Sequence, residues 1–169
     1  AFASNFQKKH LSGFLKTLLL SVILSSLYAI PEHFGYSPSC LVITGQFDVA
    51  CWQQKVQDRV FGSFGQPNWL AAFLITTLPI TLYGFTTKAK QKWLWIVTVL
   101  ALLALLFTKS RSGVLGLGVG LGTLLLGQLI FIRTNLKRLF ISLGVIGLIA
   151  MVFGTPFTPA LSQLWQPPS

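Results

Sequence analysis

The sequence predicts an all-α membrane protein: a bundle of five transmembrane helices with a long outside loop between helices 1 and 2. Three observations predict it. Hydrophobic residues make up 53% of the 169 residues and charged ones only 9%, where an ordinary soluble domain carries about 25% charged residues. The apolar residues gather into five runs, at about 14–30, 67–87, 93–108, 112–132 and 139–157. A helix of roughly 20 residues crosses the hydrocarbon of a bilayer. None of the runs shows the period-two alternation of a barrel strand, and only helices or closed barrels satisfy their backbone hydrogen bonds in lipid. The whole of 1–169 reads as a single transmembrane region.

The first run follows Lys8 and Lys9 and includes Lys16, a charge pattern shared with signal peptides. The run is too long for a signal core, no small-x-small cleavage site stands near Tyr28–Pro31, and four more runs follow, so it reads as a membrane helix. Residues 31–66 form the outside loop, punctuated by Pro31, Gly35, Pro38, Gly45, Gly62 and Gly65. A loop of that length is functional or disordered as a rule. Its aromatic residues, Phe34, Tyr36, Phe47, Trp52, Phe61 and Phe64, favour order against the membrane surface. Cys40 and Cys51 both lie in this loop, and their spacing leaves open a disulfide or two unpaired thiols.

Span two starts at "QPNW" (66–69). Pro67 suits a first helical turn, where its missing N–H costs nothing, and Gln66 or Asn68 can answer nearby unpaired amides. Pro79 should kink this span, with Thr76 and Thr77 placed to satisfy the freed groups. Span three is the shortest and is expected to extend into Lys109. Only "TKSRSG" (108–113) separates it from span four, which predicts a tight antiparallel hairpin with Arg111 at its tip. Span four carries Gly116 and Gly120, and Gly118 and Gly122, two overlapping small-xxx-small pairs that allow another helix to approach closely. The run does not meet the G-x-G-x-x-G spacing of a dinucleotide site, and no strand precedes it. Span five follows Arg133, Lys137 and Arg138.

The net charge of +10 raises the possibility of nucleic-acid binding, and its placement decides against that. Nine of the thirteen cations are Lys8, Lys9, Lys16, Lys88, Lys90, Lys92, Arg133, Lys137 and Arg138. They precede span one, join spans two and three, and join spans four and five, which makes that side cytoplasmic. The opposite side holds Lys55, Arg59, Lys109 and Arg111 with all three acids, Glu32, Asp48 and Asp58. The N-terminus is then cytoplasmic and the end of this segment outside. The chain starts at Ala1 without a methionine and ends in the uncharged "TPALSQLWQPPS", which is expected of a piece of a longer polytopic protein.

Candidates for chemistry are few. No pair of residues has metal-ligand spacing, and no nucleophile elbow or phosphate loop is present. His33 reads as a solvated loop histidine, and His10 lies among lysines. Arg59 and Arg111 differ, because the topology sets both at the same membrane face, where a planar, permanently charged fork suits the oxygens of an anionic lipid headgroup. Asp58 offers Arg59 an alternative, local partner.

Two stretches carry a family likeness. "RVFGSFGQPNWLAAFL" (59–74), with its Arg-x-x-Gly-x-x-Gly-x-Pro-Asn pattern, followed by "LALLFTKSRSGVLGLGVGLG" (103–122), resembles the O-antigen ligase and polymerase superfamily. The resemblance implies a polytopic glycosyltransferase of the cell envelope and of lipopolysaccharide biosynthesis in the inner (cytoplasmic) membrane. Its donor is a glycan linked to polyprenyl pyrophosphate, its acceptor a lipid, a protein or another glycan, and it uses no nucleotide sugar, metal or other cofactor. Arg59 and Arg111 are then expected to hold the donor pyrophosphate, Gly62 and Gly65 to bend the loop, and Gln66 and Asn68 to cap span two or touch the sugar. The family's acceptor-activating histidine lies in a later outside loop, so no catalytic residue is assigned here, and His33 is not given that role. A transporter or flippase for an anionic lipid-linked substrate is a second reading, but transporters place ionisable groups near the bilayer midplane, and these runs carry none there. A non-catalytic membrane subunit is the third.

Overall fold

The computed structural model describes residues 8–87, 92–132 and 136–158. The basic connections holding Lys88, Lys90 and Arg133, and the terminal segment from Pro159 onward, lie outside the described residues. The described chain is helical, with no strand beyond an isolated bridge between Thr155 and Thr158. In order come α1 (Lys8–His33), α2 (Pro38–Thr44), a single 3-10 turn (Gly62–Phe64), α3 (Pro67–Thr87), α4 (Trp93–Phe107), α5 (Arg111–Gly127) and α6 (Leu136–Phe153). A π-helical turn, Gln128–Ile132, extends α5.

Among the described residues four helices are long and apolar enough to cross a membrane: His10–His33 of α1, α3, Arg111–Ile130 of α5 and its extension, and α6. The third predicted span is the exception. α4 ends at Phe107, and its 15 residues rise about 22 Å against a hydrocarbon layer of roughly 30 Å. It is also the most enclosed helix, with nine of its fifteen residues buried, as befits a helix that is hydrophobic all round. The first predicted span ends too early. α1 continues through Pro31 to His33, because the buried positions Val22, Ser26, Ala29 and Glu32 recur at helical spacing and keep one face on the bundle.

α3 sits at the centre, between α4 on one side and α5 on the other. Leu70, Leu74, Leu78 and Leu82, one every fourth residue, are fully enclosed and meet the α4 face that carries Ala101, Leu102 and Leu105. Lipid is as apolar as leucine, so the driving force here is close packing and buried hydrogen bonding rather than escape from water. Thr98 of α4 donates to Thr81 of α3 at 2.9 Å, and Gln128 donates to Thr86 at 3.0 Å. Other hydroxyls on the membrane helices fold back on their own carbonyls, as Thr17, Ser21 and Ser25 do four residues upstream.

Pro79 lies inside a continuous α3. The carbonyl it frees is that of Ile75, four residues back. Thr76 and Thr77 do not serve it: their hydroxyls bond the carbonyls of Phe73 and Leu74, since a threonine in a helix reaches only three or four residues upstream. The turn between α4 and α5 is as short as expected, but the two helices have little mutual contact. α5 lays its glycine face on α3 instead. A Cβ at Gly113 would stand 2.8 Å from the Ala71 Cβ, at Gly116 2.6 Å from Ile75 Cδ1, and at Gly120 3.1 Å from Pro79 Cγ. Gly118 and Gly122 face open space among the described residues, so one of the two predicted small-residue pairs packs and the other does not.

Candidate functional site

The segment between α1 and α3 is pinned from several directions. Cys40 and Cys51 form a disulfide, with Cα atoms 5.4 Å apart. It joins α2 to the chain that follows. The indole of Trp52 donates to the Ser37 hydroxyl at 3.0 Å, and that hydroxyl donates to Glu32 Oε1 at 3.3 Å. Glu32 Oε2 accepts the amide of Gly62 at 2.9 Å. A fully buried carboxylate at the end of α1 thus holds the first glycine of the Arg-x-x-Gly-x-x-Gly-x-Pro-Asn stretch. Gly62 and Gly65 have φ of 55° and 73°, left-handed values that an ordinary side chain disfavours. These glycines turn the chain into Pro67, the first residue of α3.

His33 was expected to be a solvated loop residue. It is half-buried at the end of α1, its ring stacks on Phe107 with centroids 3.9 Å apart, and its Nδ1 lies 2.9 Å from the Gln57 carbonyl oxygen. Stacking on a neighbouring helix end accounts for its place without any catalytic task.

Arg59 and Arg111 are brought together by the end of α4. The amide of Val60 donates to the Phe107 carbonyl at 3.2 Å, and Arg59 Nε donates to the Thr108 carbonyl at 3.3 Å. Carbonyls at a helix C-terminus carry partial negative charge and attract a cation. The guanidinium also donates to Asn68 Oδ1 at 3.4 Å. Among the described residues these are its hydrogen-bond partners, and Asp58 is not one of them. Past Thr108 the chain turns through Lys109, whose φ is 47°, to Ser110, which caps α5 by accepting the Gly113 amide at 3.2 Å. Arg111 is then the first residue of α5.

The outcome is a cleft of about 600 Å³ lined by Arg59, Asn68, Lys109, Arg111, Ser112 and Pro156. Three cations and no acid line it, and the positive end of α5 opens beside them, a combination that favours an anion. Of the four residues expected to bind substrate, Arg59, Arg111 and Asn68 share this cleft. Gln66 does not. It lines an adjoining cleft of about 750 Å³ with Gln54, Lys55, Asp58 and Trp69, and Arg59 and Asn68 form the wall common to both. The side chain of Gln66 makes no capping bond; its carbonyl accepts the amides of Trp69 and Leu70.

Sequence reasoning missed two parts of this site. In the sequence Lys109 reads as the tail of a span, although two basic residues around one turn mark a cationic tip. Glu32 falls in the loop that the sequence predicts, although its spacing from Val22, Ser26 and Ala29 continues the buried stripe of α1. Among the described residues no three His, Cys, Asp or Glu side chains gather in one place. No family model, curated protein or solved structure matches the chain.

Proposed function

We propose that the chain is part of an O-antigen-ligase-like glycosyltransferase of the inner membrane, with the cleft between Arg59 and Arg111 facing outside and receiving the pyrophosphate of a polyprenyl-linked glycan. In this reading α4 is a fifth, short crossing enclosed by its neighbours, the N-terminus is cytoplasmic, and the disulfide-bearing segment lies on the outer face. The single observation that carries the proposal is the convergence of Arg59, Lys109 and Arg111 on one cleft without a compensating acid. The likeness of 59–74 and 103–122 to the superfamily supports the same ligand, and the disulfide suits an oxidising outer compartment.

In the transfer, an acceptor hydroxyl attacks the anomeric carbon, the bond from that carbon to the pyrophosphate oxygen breaks, and the lipid pyrophosphate departs with the extra negative charge. Charge preorganised where it develops lowers the barrier. A unit charge pair about 4 Å apart is worth roughly 1 kcal/mol in water and nearer 4 kcal/mol at an effective dielectric of 20, so a cleft at the lipid boundary makes the two guanidinium groups effective. The acceptor is a lipid, a protein or a growing glycan. The base that takes the hydroxyl proton has no assignment among the described residues.

The test is glycan display in cells carrying the full-length protein with Arg59→Ala or Arg111→Ala. Each variant should abolish display while protein level and membrane insertion persist, and lysine at either position should restore little, because it lacks the paired donors of arginine. Unchanged display in both alanine variants would point instead to a non-catalytic subunit.

A further inference from the structure

The adjoining cleft has a chemistry of its own. Trp69 stands on the first turn of α3 and its side chain is 63% exposed. Around it, Gln54, Lys55, Asp58 and Gln66 line the same 750 Å³ space, a volume within the roughly 300–1,000 Å³ range of small-molecule sites. All four are exposed, and their side chains have no hydrogen-bond partner among the described residues. Two primary amides and a carboxylate both offer planar acceptors, and the amides and the ammonium offer donors. That set matches vicinal hydroxyls, which donate and accept. Its charges are mixed, Asp58 against Lys55 and the shared Arg59, whereas the cleft next door is lined by cations without an acid. The chain on either side of Asp58 is anchored: Val56, Val60 and Phe61 are buried, and Trp52 packs edge-on against Phe61 at 4.9 Å.

We infer that this second cleft is a carbohydrate subsite, in which Trp69 covers the C–H face of a pyranose ring while Gln54, Asp58 and Gln66 bond its hydroxyls. The inference rests on the donor reading, because the Arg59–Asn68 wall shared by the two clefts sets a sugar next to the pyrophosphate that carries it. Asn68 already accepts from Arg59, so a sugar that engages the amide also orients the guanidinium. The subsite therefore takes the carrier-proximal residues of the glycan.

The experiment measures the affinity of the full-length protein in lipid nanodiscs for two probes: bare polyprenyl pyrophosphate, and the same lipid bearing an N-acetylhexosamine disaccharide. Trp69→Ala should weaken binding of the glycan-bearing probe about tenfold and leave the bare probe unchanged, and Trp69→Phe should recover most of the loss. Asp58→Asn should weaken the glycan-bearing probe alone. Equal loss for both probes would overturn the inference, showing that Trp69 seats the protein or the carrier at the membrane surface. No loss for either probe in both variants would overturn it as well. Failure of the unsubstituted protein to bind either probe would bring down the donor reading itself, and the subsite with it, whereas the other two outcomes leave that reading standing.

Discussion

Adding one methyl group at successive glycines of α5 separates packing from helix propensity. An alanine in place of glycine in a helix interior gains about 1 kcal/mol of propensity. At Gly118 the new methyl meets nothing within 4 Å, so Gly118→Ala should stabilise the protein or leave it unchanged. At Gly116 the first obstacle is Ile75 Cδ1 at 2.6 Å, the end of a flexible side chain that can rotate aside, and the propensity gain should roughly cancel the adjustment. Gly113 is different. Its Cβ would stand 2.8 Å from the Ala71 Cβ, 3.1 Å from Leu105 Cδ1 and 3.3 Å from the Ser110 Cβ, while ordinary contact starts at 3.4 Å. Ala71 has no rotamer to change, so α3 and α5 must separate by about 0.6 Å at a contact where gaps of that size forfeit much of the dispersion energy.

Overpacking of this kind costs about 1–3 kcal/mol, and Gly113, in the first turn of α5, recovers at most about 1 kcal/mol of that through propensity. Thermal unfolding of the detergent-solubilised variants, followed by loss of soluble monomer, should give the order Gly118→Ala most stable, Gly116→Ala near the parent, Gly113→Ala least. Gly113 also lies two residues past Arg111, so the same change should weaken donor binding. If Gly113→Ala unfolds no earlier than Gly118→Ala, the close approach of α3 and α5 is not what holds α5 in place.

Two further predictions concern the segment that carries Arg59. Glu32→Leu strands the Gly62 amide and the Ser37 hydroxyl, each of which bonds the carboxylate. Unfolding temperature should fall, by an amount matching about 1–3 kcal/mol for the unsatisfied groups, and Glu32→Gln, which keeps an acceptor for Gly62, should fall less. A leucine variant as stable as the parent would show that Glu32 is not the pin. Replacing both Cys40 and Cys51 by alanine opens a link of sequence separation 11, which should cost about 2–3 kcal/mol and expose 45–57 to limited proteolysis before the helices unfold. Equal protease resistance with and without the disulfide would refute its role in ordering that segment.

By itself the sequence determined that the chain is helical, apolar and able to cross a membrane, because a charge-free run of about 20 residues has few other fates in water or lipid. It also determined that the glycines of 62 and 65 bend the chain into Pro67, since such turns demand residues without a Cβ. The helix ends were harder to read. α1 runs past Pro31 to Glu32, whose carboxylate accepts the Gly62 amide, and the last carbonyls of α4 are taken up by Val60 and Arg59, and both are facts about other segments. Which glycines of α5 pack was equally a tertiary matter: two faces have the same spacing, and only the position of Ala71, Ile75 and Pro79 picks Gly113, Gly116 and Gly120. The cleft itself depends on a bond between residues 49 apart, Arg59 to the Thr108 carbonyl. Periodicity constrains neighbours three or four residues apart, and it is silent about a contact of that span.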